Sequence, residues 1–255
     1  MSLLATERIK LFTTRSPWWC ALLTVTVMVG LAAFLFAGLG ESSGALTVAG
    51  TQFGFQFGLA VILVLAALTV TTEYRFGTIR TTFQAVPNRA SVLLAKTAVV
   101  ALAAFVIGEV AAFGSWALAK LLSPDADLGL VNATDWTSVA GIGVVFAFAA
   151  VMALAVGILI RQSAGALSLL LVYTLAVEQL VRLIPKVGAH IHEWMPFNVA
   201  NKFLFGTGAS NGGHDGGAVS LSTSQLSPGW ALAYFAGMSL VMLAVAIGVA
   251  KKRDA

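Results

Sequence analysis

Six apolar stretches, each near or above the roughly 20 residues a helix needs to cross a bilayer, divide this chain at about 17–39, 53–72, 93–119, 138–160, 164–184 and 229–250. Little is left over for anything else. Of the 255 residues, 58% are hydrophobic and 10% charged, against about 25% charged in an ordinary soluble domain. In lipid every backbone amide must be satisfied within its own segment, so runs this long fold as helices. The expectation is an all-α, polytopic membrane protein in which residues 1–255 form one transmembrane domain.

The bases orient it. An even number of spans puts both ends on one side. With them go Arg8, Lys10, Arg15, Arg75, Arg80, Arg89, Lys96, Arg161, Lys251, Lys252 and Arg253, eleven of the fifteen Lys and Arg. Lys120, Arg182, Lys186 and Lys202 fall on the other side. The side richer in bases is the cytoplasmic one, so both termini are expected inside and the long connection at about 185–228 outside. Bases placed this way explain the net charge of +4 without nucleic acid. The first apolar run is too long for a cleaved leader. The single cysteine, Cys20, reads as a small apolar residue at the membrane boundary.

Residues 71–89, TTEYRFGTIRTTFQAVPNR, interrupt this pattern. On a helix Phe76, Ile79, Phe83 and Val86 make one apolar stripe. Arg75, Thr78 and Thr82 share another face, with Glu73 and Arg80 two turns apart. Pro87 stops the helix and Asn88 helps the turn. The expectation is a short amphipathic helix over about 73–86, on the cytoplasmic side and tied to spans two and three. Residues 3–15, LLATERIKLFTTR, are too short to span. Leu4, Ile9, Leu11 and Phe12 lie opposite Glu7, Lys10 and Thr14, as in a helix lying in the inner interface. In the outer connection, 184–206 mixes aromatic and polar residues and reads as interfacial or re-entrant helices, followed by a Gly/Ser-rich loop.

Two motifs carry a family resemblance: EYRFGTIR followed by PNRASVLLAK, and ERIKLFTTRSPWW near the start. Together they resemble the permease subunits of ATP-binding-cassette exporters of the second exporter class, the bacterial six-span type, and the layout is similar along the whole chain. The resemblance implies an N-terminal elbow helix and a coupling helix at 73–86 that docks in a cleft of the ATPase subunit. Its motif positions here are Glu73, Arg75, Gly77, Thr78, Arg80 and Pro87. It implies a bacterial plasma-membrane assembly of two permeases, identical or not, and two ATPase subunits, with ATP and Mg held by the ATPases. The chain itself has no GxxxxGK[ST] phosphate loop and is expected to bind no cofactor and to be no enzyme.

Polar residues inside the spans are candidates by default, because an intramembrane acid costs about 2.5–3.5 kcal/mol on insertion scales. Glu109 lies in span three without a partner in its own helix. Glu178 in span five is four residues from Arg182, so the two can pair along one face; the alternative expectation is that Glu109, Glu178 and Arg182 line the cavity between permeases or its outer gate. The resemblance implies that spans two and five line the central cavity, which makes Gln52, Phe53, Gln56 and Phe57 candidate contacts for an amphiphilic substrate. Gly54 and Gly58 form a weak GxxxG. His190 and His192 point different ways on a helix and have no carboxylate cluster beside them, so no metal site is expected.

The reading that follows is an ATP-driven exporter working by alternating access. A proton-coupled secondary transporter using Glu109 and Glu178, and a non-transporting assembly subunit, are the alternatives.

Overall fold

A computed structural model describes residues 3–38, 46–86, 88–206 and 222–253; Pro87, residues 207–221, over which the Gly/Ser-rich loop is expected, and the side chains of Arg80, Phe83 and Ala85 lie outside the described residues. The described chain is helical throughout, without strands. Helix α1 covers Leu3–Thr13 and α2 Ser16–Gly38. After a 3-10 turn at Ala49–Gln52 come α3, Phe55–Phe76, and the short α4, Thr78–Ala85. Helix α5 is Arg89–Leu122 and α6 Ala133–Ile160. The fifth apolar run is broken into α7, Ser163–Val172, a π turn at Tyr173–Val177, and α8, Glu178–Val181. Two short helices follow, α9 at Gly188–Glu193 and α10 at Pro196–Phe205, and then α11, Pro228–Arg253. Among the described residues six helices or helix groups are long and apolar enough to cross a membrane.

The most apolar stretch of α6 is 78% buried, against 22% for α2, for the α7–α8 run and for α11. Helix α6 is therefore the axis of the bundle. A helix apolar all round has no polar face to orient it; its neighbours α3, α5, α10 and α11 surround it. Glycines set how closely they approach. A Cβ on Gly108 of α5 would fall 2.9 Å from the Cα of Gly143 on α6, and one on Gly157 would fall 2.6 Å from Val70 on α3. The weak GxxxG has the same use. A Cβ on Gly54 would lie 2.6 Å from the Cα of Met28 on α2, and one on Gly58 would meet the Met28 sulfur. Close backbone approach through small residues is the usual route to helix association in lipid. Phe146 of α6 stacks on Phe55 of α3, ring centroids 5.7 Å apart, in the middle of this core.

Caps fix several ends. The Asn132 side chain and the Asp135 carboxylate form a capping box that starts α6, with Asn132 N donating to Asp135 Oδ2 at 2.9 Å. Asn88 begins α5, its Oδ1 accepting from Ser91 N at 3.3 Å. Arg161 ends α6 in the left-handed region, φ 60°.

The amphipathic helix expected over 73–86 is two pieces. Gly77 has φ 71°, so α3 runs four residues beyond the expected end at 72 and α4 starts afresh at Thr78. Glu73 and Arg75 thus belong to the last turn of span two, not to α4. In helix α1 Leu4, Ile9 and Phe12 are exposed along one edge, whereas Leu11, expected on that edge, is buried together with Glu7, so the acid turns into the protein.

Candidate functional site: an ionic joint of four helices

Helix α1 meets the consecutive helices α3, α4 and α5 at one end of the bundle, and charge holds them. Lys96, on the second turn of α5, is buried (5% exposed). Its ammonium bonds to Glu7 Oε2 on α1 and lies 2.8 Å from Glu73 Oε1 at the foot of α3. Lys10 of α1 donates to Glu7 Oε1 at 3.0 Å and to Thr82 Oγ1 on α4 at 3.2 Å, and sits 3.7 Å from Glu73 Oε1. Two acids and two bases thus neutralise one another, and through them α4 is tied to α1, α3 and α5.

The electrostatics follow from this arrangement. Burial pushes the Glu7 carboxyl up, but the charges and hydrogen bonds of Lys96 and Lys10 outweigh it and hold Glu7 below the usual carboxylate range. Such a group is strongly committed. Removing one partner of a buried pair leaves an uncompensated charge, at a cost of about 3–5 kcal/mol. Beside the cluster is a cavity of about 400 Å³ lined by Lys10, Thr72, Glu73, Thr78, Thr82 and Lys96. Glu73 Oε2 has no hydrogen-bond partner among the described residues. Next to it the Arg161 guanidinium lies 5.0 Å from the centroid of the Tyr74 ring, which brings the α6–α7 turn onto the same end of α3.

The motif positions divide between this joint and the surface. Glu73 is inside. Arg75 and Phe76 are exposed, the guanidinium carbon 5.7 Å from the Phe76 ring. Gly77 makes the corner, and Thr78 Oγ1 donates to the Glu73 carbonyl at 3.5 Å. Ile79 is the buried anchor of α4, 4% exposed. The Arg80 side chain and Pro87 lie outside the described residues. Sequence reading missed Glu7, Lys10 and Lys96 as partners because each has an ordinary local explanation; only an acid and a base in two segments too short to span hint at a pairing.

At the other end of the bundle the intramembrane candidates take separate places. Glu178, 3% exposed, does not pair with Arg182, which is exposed. Its two oxygens accept from Phe197 N and Asn198 N, both at 3.1 Å, so it caps the positive end of α10. The i, i+4 pairing expected from sequence loses to two buried amides that would otherwise lack acceptors. Asn198 extends this tie. Its Nδ2 donates to His192 O at 2.7 Å, and its Oδ1 accepts from Thr223 N at 3.1 Å. Burial, helped by the charge of Arg182, lowers the His192 pKa below its ordinary value; Nδ1 of that ring lies 2.6 Å from Thr223 Oγ1. His190 lies 3.5 Å from Glu193 instead. Among the described residues no group of three or more His, Cys, Asp or Glu side chains is placed to hold a metal.

Gln52 is buried, donating to Ala112 O on α5 at 3.1 Å and to Thr51 Oγ1 at 2.9 Å. Gln56 reaches across to the Thr174 carbonyl in the π turn at 3.4 Å, where the widened turn leaves backbone groups to satisfy. Phe53, just after the 3-10 turn, and Phe57 on α3 are both more than half exposed. Glu109 is half-buried against Gly143 of α6.

No curated protein matches the chain. The sequence model for ABC-2 family transporter proteins matches residues 3–177, from the first residue of α1 to the last of the π turn and including every residue of the ionic joint. With six apolar helices and a match over more than half its length, the chain belongs to the ABC-2 family of transporter proteins, the membrane permeases of ATP-binding-cassette transporters.

Proposed function

We propose that this permease moves an amphiphilic substrate (a drug, lipid or peptide-like molecule) outward by alternating access, and that α4 is the handle through which a separate ATPase drives it. As a family member the chain is a multi-pass transport subunit that works with an ATPase subunit and a second permease. In the proposed assembly two permeases, identical or different, meet two ATPase subunits, which hold ATP and Mg. Both termini and α4 face the cytoplasm of a bacterial cell.

The observation that carries this reading is the joint. A handle must be rigidly connected to what it moves. Helix α4 hangs from α3 by one glycine and from α1 by the Lys10–Thr82 bond, and Lys10 shares Glu7 with Lys96 of α5. A displacement of α4 is thereby delivered to two spans at once. Arg75 and Phe76, exposed beside it, offer a charge and an aromatic ring to a docking partner, the pairing that fixes register at interfaces. Glu178 is engaged by two backbone amides, which favours a structural use over proton carriage.

The test breaks the strap and leaves the fold. Thr82→Val removes the α4 end of the Lys10 bond without touching the buried pair. In proteoliposomes holding permease and ATPase, hydrolysis should persist while flux per ATP falls severalfold. Unchanged flux per ATP would sink the proposal.

A further inference from the structure

Helices α1, α2 and α5 enclose a second groove, of about 760 Å³, on the outward side of the joint. That volume is within the roughly 300–1,000 Å³ of ligand-sized pockets. Its walls include Phe12, Trp18, Ala98, Leu102 and Val106, nearly all apolar, and the one charged lining residue is Arg8. The Trp18 indole donates to the Phe12 carbonyl at 3.2 Å, and the two rings stand 5.7 Å apart, which fixes the mouth. Leu102 and Trp18 are both more than 60% exposed. An apolar groove opening sideways from a bundle of this kind faces acyl chains rather than water.

Arg8 decides the occupant. The neighbouring charges on α1, Glu7 and Lys10, turn inward and are consumed by Lys96 and Glu73. No acid among the described residues pairs with Arg8, which is exposed at the groove. A cation at the headgroup level, above an apolar channel and beside an interfacial tryptophan, matches one chemistry: a phosphate-bearing anion with an acyl tail. We propose that the groove between α1, α2 and α5 binds an anionic phospholipid, its chain along Ala98, Leu102 and Val106 and its phosphate on Arg8. The lipid wedges the outer side of α1, whose inner side carries the joint, so its binding braces the helix that holds α4. Naming the inner leaflet as its source rests on the cytoplasmic placement of α1 proposed above; the binding itself does not, and the test is independent of sidedness.

Full-length permease, extracted in detergent and delipidated, is titrated with phosphatidylglycerol and with phosphatidylcholine of the same chains, and adducts are counted by native mass spectrometry. Wild type should prefer the anionic lipid. Arg8→Gln should cut that preference about fivefold, the weight of one basic residue near an anionic headgroup. Ala98→Phe fills the groove from an exposed position and should reduce retention of both lipids. Equal retention of the two lipids by wild type overturns the proposal. So does an Arg8→Gln effect without an Ala98→Phe effect, since that is surface charge without a groove. A disulfide between copies formed by Ala98→Cys in a Cys20→Ser background would also overturn it, since a second chain would then cover the site.

Discussion

Lys96 and Glu7 are 89 residues apart in the chain and form a buried ion pair. The lysine has no other way to be neutral in its place: the second acid it touches, Glu73, belongs to the same cluster. Lys96→Met should therefore leave the buried Glu7 and the part-buried Glu73 with Lys10 as their one remaining base and destabilise the protein by about 3–5 kcal/mol. The triple replacement Glu7→Gln, Glu73→Gln, Lys96→Met should recover most of that loss. Thermal melts of the detergent-solubilised permease measure both; a single Lys96→Met with an unchanged melting temperature would contradict the burial of the pair.

The same carboxylate sets an acid limit. Glu7 titrates below its ordinary value in the folded protein, so the folded state binds its proton less readily than the unfolded chain does. The sign follows: its contribution is present above the usual carboxylate pKa of about 4.3, and is lost as pH falls from there through the lower folded value. Melting temperature against pH should show an acid limb in that window, and Glu7→Gln should flatten it.

Exposure separates two kinds of motif residue. Arg75 and Phe76 are on the surface, so Arg75→Glu and Phe76→Ala should change stability by no more than about 0.5 kcal/mol while weakening association with the ATPase. Glu73→Lys puts a third ammonium beside Lys10 and Lys96 and should instead fail to accumulate. Co-purification of the ATPase, set against expression level, distinguishes these outcomes; equal behaviour of all three would undo the division.

Gly77 tests the corner between α3 and α4. Nothing lies within 4 Å of a Cβ placed there, so any penalty is backbone alone. Gly77→Ala should cost about 1–2 kcal/mol for the left-handed region, and Gly77→Asn less, since Asn tolerates it. Both should lower flux per ATP if the angle of the handle matters. An Ala variant as stable as wild type would mean that the corner straightens freely.

Glu178→Ala removes the acceptor of two buried amides and should cost about 1.5–3 kcal/mol, whereas Arg182→Ala, at an exposed position, should be nearly silent. Melts of the two variants decide between the α10 cap and a pair along one helix face.

What was legible in the sequence was whatever a single segment decides. Hydropathy gave the six crossings because each is set by its own length and composition. What was hidden depends on which segments meet. The apolar stripe from Phe76 to Val86 reads continuously across Gly77, since periodicity carries no sign of a positive φ. Lys96 reads as one more base on the basic side of the membrane, because its counter-ions are on helices whose positions require the fold. Arg182 is four residues from Glu178 and locally the better partner; the amides of Phe197 and Asn198 win only once α10 has folded back against α8.

The order of synthesis gives the joint a further property. Glu7 is made first, Glu73 next and Lys96 last, so when the lysine leaves the ribosome both acids that will accept it already exist. A base arriving before its acids would have to wait, charged, at the edge of the bilayer. A base arriving after them closes the set as soon as α5 is threaded, and the joint that holds α4 is complete when only half of the spans have been made.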